Sequence, residues 1–263
     1  MRQSSDVDSL AQLLALRRLV RTVDALPRPS ARWVRRPEET PRWAALLAGS
    51  FNPPTRAHLA LLDAARAAGA DLVAFVVAVR SVDKETVEAA TIEDRLALLD
   101  AIARRVGAVL ALTNAGLYVD QARALRALLP TTRLSFLIGY DKLVQIFDPR
   151  YYDNREQALT KLFDEADLLV LPRAGAGDDQ IRALLADPAN RRWAAKVTIL
   201  PAPPSLDVHL SSSAIRAGSH DNDLERHLPP ESAAFLRTWQ PYRSDRYLER
   251  KAMLDRAERE GFG

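Results

Sequence analysis

The sequence predicts an α/β fold built on a doubly wound parallel sheet of about six strands, followed by C-terminal helices. Three observations support this prediction. The chain has 263 residues, of which 48% are hydrophobic, enough for one large α/β domain or one domain with an appendage. It contains six short apolar runs, and segments with helical spacing separate them. Strands that alternate with helices in this way are typical of parallel sheets.

The predicted strands are short apolar runs bounded by turn or polar residues. They cover residues 43–48, 72–79, 109–112, 134–138, 168–171 and 197–200. The second run is continuously apolar, which predicts a strand that is buried on both of its faces.

The predicted helices have apolar side chains that recur every three or four residues. They cover residues 55–68, 91–105, 119–129, 155–165 and 178–185, and three more follow the last strand, over 223–227, 231–239 and 244–260. The helix over 91–105 begins with Thr91-Ile-Glu-Asp94, which is close to a capping box. The last helix carries five basic and five acidic residues in close alternation, a pattern typical of a solvated helix face.

The first 42 residues precede the predicted sheet. Residues 8–26 form an amphipathic helix, which we expect to pack on the main domain; a targeting or partner-binding helix is the alternative. Residues 27–42 are rich in Pro and Arg and are typical of a linker, either solvated or reaching over a phosphate site. The predicted organisation is therefore a helix and linker over 1–42, an α/β core over 43–205 and a C-terminal segment over 206–263.

Composition excludes several classes of function. The 37 Lys and Arg residues nearly balance the 34 Asp and Glu residues, which argues against a nucleic-acid partner. The absence of Cys excludes a disulfide scaffold, a thiolate zinc site and a Cys nucleophile, and only four His residues are present. No apolar run reaches the roughly 20 residues needed to cross a bilayer, and the N-terminus lacks the features of a signal peptide. We therefore expect a cytoplasmic protein that does not bind a membrane, with its oligomeric state open.

The stretch Gly49-Ser-Phe-Asn-Pro-Pro-Thr-Arg-Ala-His58 joins the first predicted strand to the first helix of the core. In a parallel sheet, ligands bind at this carboxyl end of a strand. Gly49 lets the backbone approach a phosphate, and the helix that begins near Pro54 offers unpaired N–H groups and the positive end of its dipole. Thr55 and His58 are three residues apart and can reach the same anion. The alternative is an ordinary strand–turn–helix in which Thr55 caps the helix and His58 has no role.

A second motif, Leu210-Ser-Ser-Ser-Ala-Ile-Arg216, follows the last predicted strand. The three serine hydroxyl groups and the N–H groups of a new helix would form an anion nest, and Arg216 would clamp a phosphate one turn later. The alternative is a serine N-cap followed by a surface arginine.

Together the two motifs resemble those of the nucleotidylyltransferase superfamily. The first is similar to G-x-F-x-P-x-[HT]-x-x-H and the second to I-S-S-T-x-I-R. Thr55, and Asn52 before proline, make the first motif most similar to nicotinamide and nicotinate mononucleotide adenylyltransferases. The resemblance covers about residues 43–242 and implies a Rossmann-like nucleotidyltransferase fold.

The resemblance implies roles for individual residues. It assigns catalysis to His58, Thr55 and Arg216. It assigns ATP binding to Gly49, Ser50, Phe51, Asn52, Gly139, Asp141, Ser211, Ser212, Ser213 and Ile215. Gly139 and Asp141 correspond to a G-x-D motif in which the glycine admits adenosine and the carboxylate contacts ribose or metal. Asp141 could instead cap the next helix.

Five residues are expected on the acceptor side of the site: Lys84, Arg95, Tyr151, Tyr152 and Arg173. Lys84 lies where family members carry a lysine for the substrate phosphate, or else it is a solvated loop residue. Arg95 either assists or pairs with Glu93 or Asp94.

Arg173 corresponds to an Arg-x-Gly strand end that faces the mononucleotide. Family members usually stack the pyridine ring on Trp, and here Tyr151 and Tyr152 would stack in its place.

The implied reaction transfers AMP from ATP to the 5′-phosphate of nicotinamide or nicotinate mononucleotide, giving NAD or deamido-NAD and pyrophosphate. Magnesium would be bound mainly through substrate oxygens. His58 would contact the α-phosphate with Thr55 in support, and Arg216 with the serine nest would hold the β- and γ-phosphates. The alternatives are another nucleotidylyltransferase, with a cytidylyl- or pantetheine-phosphate-type acceptor, and a non-catalytic nucleotide-binding regulatory protein.

Overall fold

Seven strands form one sheet in the computed structural model, which describes residues 10–79, 90–172, 177–201, 212–218, 223–242 and 244–260. The strands are β1 (Ala31–Arg35), β2 (Trp43–Ala48), β3 (Leu72–Ala78), β4 (Val109–Thr113), β5 (Arg133–Gly139), β6 (Ala166–Leu171) and β7 (Val197–Ile199). The six predicted strands correspond to β2 through β7, with bounds that agree to within two residues.

The helices lie between and after these strands. They are α1 (Leu10–Ala25), α2 (Arg56–Ala67), α3 (Ile92–Val106), α4 (Tyr118–Arg126), α5 (Tyr140–Phe147), α6 (Arg155–Glu165), α7 (Asp178–Ala186), α8 (Ser212–Arg216), α9 (Leu224–His227), α10 (Pro230–Trp239) and α11 (Asp245–Arg259). Short 3-10 helices cover Pro149–Tyr151 and Arg191–Lys196. Within the described ranges, no helix has both the length and the apolar character needed to span a membrane.

The order of strands across the sheet is β1-β4-β3-β2-β5-β6-β7. Strands β2 to β7 are parallel, and β1 is antiparallel to its neighbour β4. The chain begins the parallel sheet in the centre, at β2, winds outward through β3 and β4, and then returns to place β5 on the other side of β2. The crevice between the carboxyl ends of β2 and β5 is the topological switch point, where doubly wound sheets bind ligands.

The two faces of the sheet bury separate apolar layers. Successive side chains of a strand point to opposite faces, so Leu47 and Phe75 pack with α1, α2, α3, α10 and α11. Leu46 and Phe136 pack on the other face with α4, α5, α6 and α7. Helices on both faces of a mostly parallel sheet confirm the predicted fold class.

Strand β1 lies within residues 27–42, for which the sequence predicts a linker. Ala31 is buried, Trp33 packs partly against one apolar layer, and Arg35 pairs with Asp100 of α3 at 2.7 Å. An edge strand needs one partner strand and tolerates charged side chains, so the dense Arg and Pro content does not prevent pairing here. This segment is therefore part of the sheet rather than a connection alone.

Ion pairs join α1 and α11 to the first turn of α3. Arg17 of α1 contacts Glu93 of α3 at 2.7 Å and Asp255 of α11 at 2.6 Å. Asp94 of α3 pairs with Arg250 of α11 at 3.0 Å, and each of these two side chains is only 4% exposed. Helix α1 thus packs on the main domain, as expected, and α11 buries one face while exposing another, as its alternating charges predict.

Candidate active site

The loop between β2 and α2 turns sharply over the carboxyl end of the sheet. The N–H group of Gly49 donates to the carbonyl group of Val76 in β3 at 3.1 Å. Phe51 has a left-handed backbone, with φ of 47°, and its buried ring contacts that of Phe75 edge to face, 5.3 Å between centroids. A Cβ atom at position 49 would lie 3.1 Å from the Phe51 ring, so any other residue there would push this ring aside by a few tenths of an ångström.

His58 and Thr55 form the cap of helix α2. Thr55 is the N-cap residue, and its backbone N–H donates to Nδ1 of His58 at 2.9 Å. Because Nδ1 accepts this hydrogen bond, the neutral imidazole carries its proton on Nε2. Burial lowers the pKa of His58 to about 4, so the ring is neutral at pH 7. The cap therefore leaves the Nε2–H of His58 as its remaining donor.

Two arginines hold the carbonyl groups of this loop. Nη1 of Arg95 donates to the carbonyl oxygen of Ser50 at 2.8 Å, and Nη1 of Arg216 donates to that of Asn52 at 2.9 Å. The Nε atom of Arg95 is buried and has no hydrogen-bond partner among the described residues. Burial also lowers the pKa of Arg95. The carbonyl oxygens, which would repel an anion, are thus engaged by two cations that border the loop.

The contacts of Arg95 differ from those of its acidic neighbours. Its acidic neighbours, Glu93 and Asp94, are engaged by Arg17 and Arg250, whereas Arg95 reaches across to the β2–α2 loop. The pairing of Arg95 with Glu93 or Asp94 is therefore not what positions this side chain.

Helix α8 brings the second motif against the first. The hydroxyl group of Ser212 donates to the carbonyl oxygen of Pro53 at 2.8 Å, and that of Ser213 accepts from Nη2 of Arg216 at 3.1 Å. The side chain of Ile215 is buried in the core and anchors the helix. Two motifs more than 150 residues apart in sequence therefore meet at the switch point of the sheet.

Strand β5 contributes the other wall of the crevice. Gly139 ends the strand and is the N-cap of α5, and a Cβ atom there would meet no described atom within 4 Å apart from its chain neighbours. Asp141 lies inside the first turn of α5 and is exposed, so it does not cap the helix. The sequence analysis did not predict α5, although Leu143, Ile146 and Phe147 have helical spacing and are buried.

The sequence of this chain matches a known protein family. The model of the cytidylyltransferase-like family matches residues 46–218, which is more than half of the chain and includes both motifs. The chain belongs to this family. The resemblance to nucleotidylyltransferases drawn from the two motifs is thereby confirmed, and with it the assignment to nucleotidyltransferase enzymes.

Two relatives of this cytidylyltransferase-like protein are similar over most of its length. One, from Schizosaccharomyces pombe, is named "Putative nicotinamide mononucleotide adenylyltransferase" and is 27% identical over 214 residues, covering 75% of this chain and 85% of that protein. The other, from Gloeobacter violaceus, is named "Probable nicotinate-nucleotide adenylyltransferase" and is 30% identical over 178 residues, covering 65% of this chain and 81% of that protein.

A solved structure shares the fold of this cytidylyltransferase-like protein. It is the nicotinic acid mononucleotide adenylyltransferase of Plasmodium falciparum complexed with APC, and it aligns with a TM-score of 0.54 at 18% identity. The alignment covers 76% of this chain and 97% of that one.

The two tyrosines expected on the acceptor side follow the far end of α5, about 12 Å along the helix from Gly139. Tyr151 and Tyr152 are both half-buried. The hydroxyl group of Tyr152 donates to the carbonyl oxygen of Ile146 at 2.9 Å, and burial raises the pKa of Tyr152 to about 12. The Tyr152 ring is therefore held against the far end of α5 by its own phenol.

Three predicted site residues of this cytidylyltransferase-like protein, Lys84, Arg173 and Ser211, lie outside the described residues. Within the described ranges, there is no cluster of three or more His, Asp or Glu residues that could hold a metal ion.

One contact to the loop was not predicted. The hydroxyl group of Tyr242, between α10 and α11, donates to Oδ1 of Asn52 at 3.0 Å. No local pattern marks Tyr242 as a site residue, because the contact depends on how the C-terminal helices pack.

Proposed function

We propose that this protein transfers AMP from ATP to the 5′-phosphate of nicotinamide or nicotinate mononucleotide, giving NAD or deamido-NAD and releasing pyrophosphate. The observation that carries the proposal is the meeting of the His58 loop with Arg216 at the switch point between β2 and β5. The names of the two relatives support the choice of acceptor.

The proposed mechanism depends on positioning and charge. The attacking group is already a phosphate anion, so the reaction needs neither a general base nor a covalent intermediate. The Nε2–H of His58 would donate to the α-phosphate, where negative charge grows as the pentacoordinate phosphorus forms. Arg216, with Ser211, Ser212 and Ser213, would hold the β- and γ-phosphates in line with the attacking oxygen.

Arg95 would supply a second cation beside the β2–α2 loop, in addition to Arg216. Its guanidinium already contacts the carbonyl oxygen of Ser50, and its buried Nε–H has no partner among the described residues. Leaving such a donor unpaired is costly, and an acceptor-side phosphate would satisfy it. By the same resemblance, the acceptor would be surrounded by Lys84, Arg173, Tyr151 and Tyr152.

Magnesium is proposed as the metal, carried by the nucleotide. An ion held mainly by phosphate oxygens needs few protein ligands, and the carboxylate of Asp141 is proposed to contact it or the ribose. When bound, the ion would offset part of the charge of the triphosphate.

The test is pyrophosphate release with ATP and magnesium, offering the nicotinamide and nicotinate mononucleotides separately. We expect turnover with at least one of them, and the ratio of kcat/KM values gives the preferred acceptor. His58→Ala should lower kcat by about 10²- to 10³-fold, as expected for loss of one preorganised donor to the reacting phosphate.

Three outcomes would count against parts of this proposal. Near-full turnover by His58→Ala would refute the role of His58. Turnover only with CTP, or only with pantetheine phosphate as acceptor, would move the protein to another branch of the family. ATP binding without turnover on any acceptor would favour a regulatory nucleotide-binding protein.

A further inference from the structure

Tyr242 lies beyond residues 46–218, which the family model matches, yet it contacts the first motif. Its ring is half-buried between α10 and α11, and its hydroxyl group donates to Oδ1 of Asn52 at 3.0 Å. The loop is therefore held from a part of the chain to which the family match assigns nothing.

The hydrogen bonds around Asn52 determine the orientation of its amide. Oδ1 also accepts from the backbone N–H of Ala90 at 3.3 Å, and a backbone N–H can only donate. The oxygen of the amide must therefore face Ala90 and Tyr242, and the Nδ2 group points the other way. The carbonyl oxygen of Asn52 is engaged separately, by Arg216.

The surroundings keep the Tyr242 hydroxyl group protonated. Burial raises the pKa of Tyr242, an effect that the nearby guanidinium groups of Arg216 and Arg95 only partly oppose. The phenol thus remains a donor at neutral pH and sits beside the two cations that border the loop.

We propose that Tyr242 is a positioning residue that fixes the amide of Asn52, so that the Nδ2–H₂ group donates to the phosphates of the bound nucleotide. This inference rests on the proposed function, since it requires a nucleotide at the β2–α2 loop. Without the hydroxyl group, Asn52 keeps only the longer contact to Ala90, and its amide is free to turn its oxygen toward the phosphates.

The first experiment compares ATP binding by wild-type protein and Tyr242→Phe, using calorimetry with magnesium present. Loss of one positioning hydrogen bond should weaken ATP binding about three- to tenfold. The KM for the mononucleotide acceptor should stay unchanged, because Asn52 is assigned to the phosphates of ATP.

Tyr247→Phe is the matched control. Its hydroxyl group is also buried, but it donates to Asp94 at 2.5 Å and accepts from the N–H of Thr91 at 2.7 Å. These partners cap α3 and do not contact the side chain of Asn52, so this variant should lower the melting temperature but weaken ATP binding less than Tyr242→Phe does. A structural effect alone would change both variants alike.

A double-mutant cycle with Asn52→Ala tests whether Tyr242 acts through Asn52. In the Asn52→Ala background, Tyr242→Phe should change the Kd for ATP by less than about twofold, because the two residues form one unit. Unchanged ATP binding by the single Tyr242→Phe variant would overturn the inference, as would an equal weakening in both backgrounds.

Failure of the proposed function gives different results. If the wild-type protein binds no ATP, the proposed function and this inference are both refuted. If it binds ATP but releases no pyrophosphate with any acceptor, the proposed reaction fails, while the binding cycle still decides the role of Tyr242.

Discussion

Acidification should destabilise this protein through His58. The folded protein holds this imidazole neutral, with a pKa of about 4 against an ordinary value of 6.5. Between these two values the unfolded chain binds a proton that the folded protein excludes. The stabilising contribution of the neutral ring is therefore complete above pH 6.5 and is lost as the pH falls toward 4.

The size of the effect follows from the two pKa values. At pH 5 the unfolded imidazole is almost fully protonated and the folded one almost fully neutral. This difference lowers the free energy of unfolding by about 2 kcal/mol relative to pH 8, and the full effect is about 3 kcal/mol below pH 4.

His58→Gln isolates this contribution. Thr55 is the N-cap of α2 and residue 58 is the third residue of the helix, so glutamine at position 58 completes an ordinary capping box. The local structure is therefore retained without a titrating ring. The three other histidines and all the carboxylates remain in both proteins, and their effects cancel in the comparison. Between pH 8 and pH 5, the wild-type protein should lose about 2 kcal/mol more than the variant.

The assay is urea unfolding followed by circular dichroism at both pH values. The buffers must contain no phosphate or sulfate, because an anion bound at the loop would raise the pKa of His58. If wild type and His58→Gln lose the same stability on acidification, the description of His58 as a half-buried neutral donor is wrong.

Three further variants test the support of the site and the place of the adenosine. Arg250→Met leaves Asp94 charged and buried, so it should lower the free energy of unfolding by about 3–5 kcal/mol in urea titrations. Arg192→Met removes an exposed ion pair and should cost at most about 1 kcal/mol, and equal losses would contradict the buried network. Gly139→Ala should fold with unchanged melting temperature, because a Cβ atom there has no neighbour within 4 Å among the described residues, apart from those next to it in the chain. It should weaken ATP binding about tenfold if adenosine lies there. Unchanged affinity would place the adenosine elsewhere.

The central strands could be predicted because burial on both faces demands continuous apolar runs, as in Leu72–Ala78. Edge strand β1 could not be predicted, because an edge strand tolerates arginines and these interrupt the apolar pattern that marks a strand. Helix α5 was not predicted, although the spacing of Leu143, Ile146 and Phe147 is an adequate signal for a helix. Local pattern thus predicts a strand well where it is a short apolar run, and it misses β1, in which charged residues interrupt that pattern.

The candidate site also contains residues that the local sequence predicts and residues that it does not. His58 and Arg216 lie in short motifs whose chemistry can be read from neighbouring residues. Tyr242 reaches Asn52 across 190 residues, so its position depends on the packing of the C-terminal helices. The direction of Arg95 likewise depends on which partners its acidic neighbours have, and no local pattern contains that information.

The contact between Arg17 and Asp255 joins residues 238 positions apart in the chain. During synthesis, the helix that contains Arg17 leaves the ribosome long before its partner exists. In a nascent chain that lacks the last helix, Arg17 contacts Glu93 but not Asp255, and Asp94 has no Arg250 to balance its charge. Contacts at this separation form late, because a large loop must close before they bring any gain. The first turn of α3, which carries Arg95, is therefore fixed beside the β2–α2 loop only when α11 is complete.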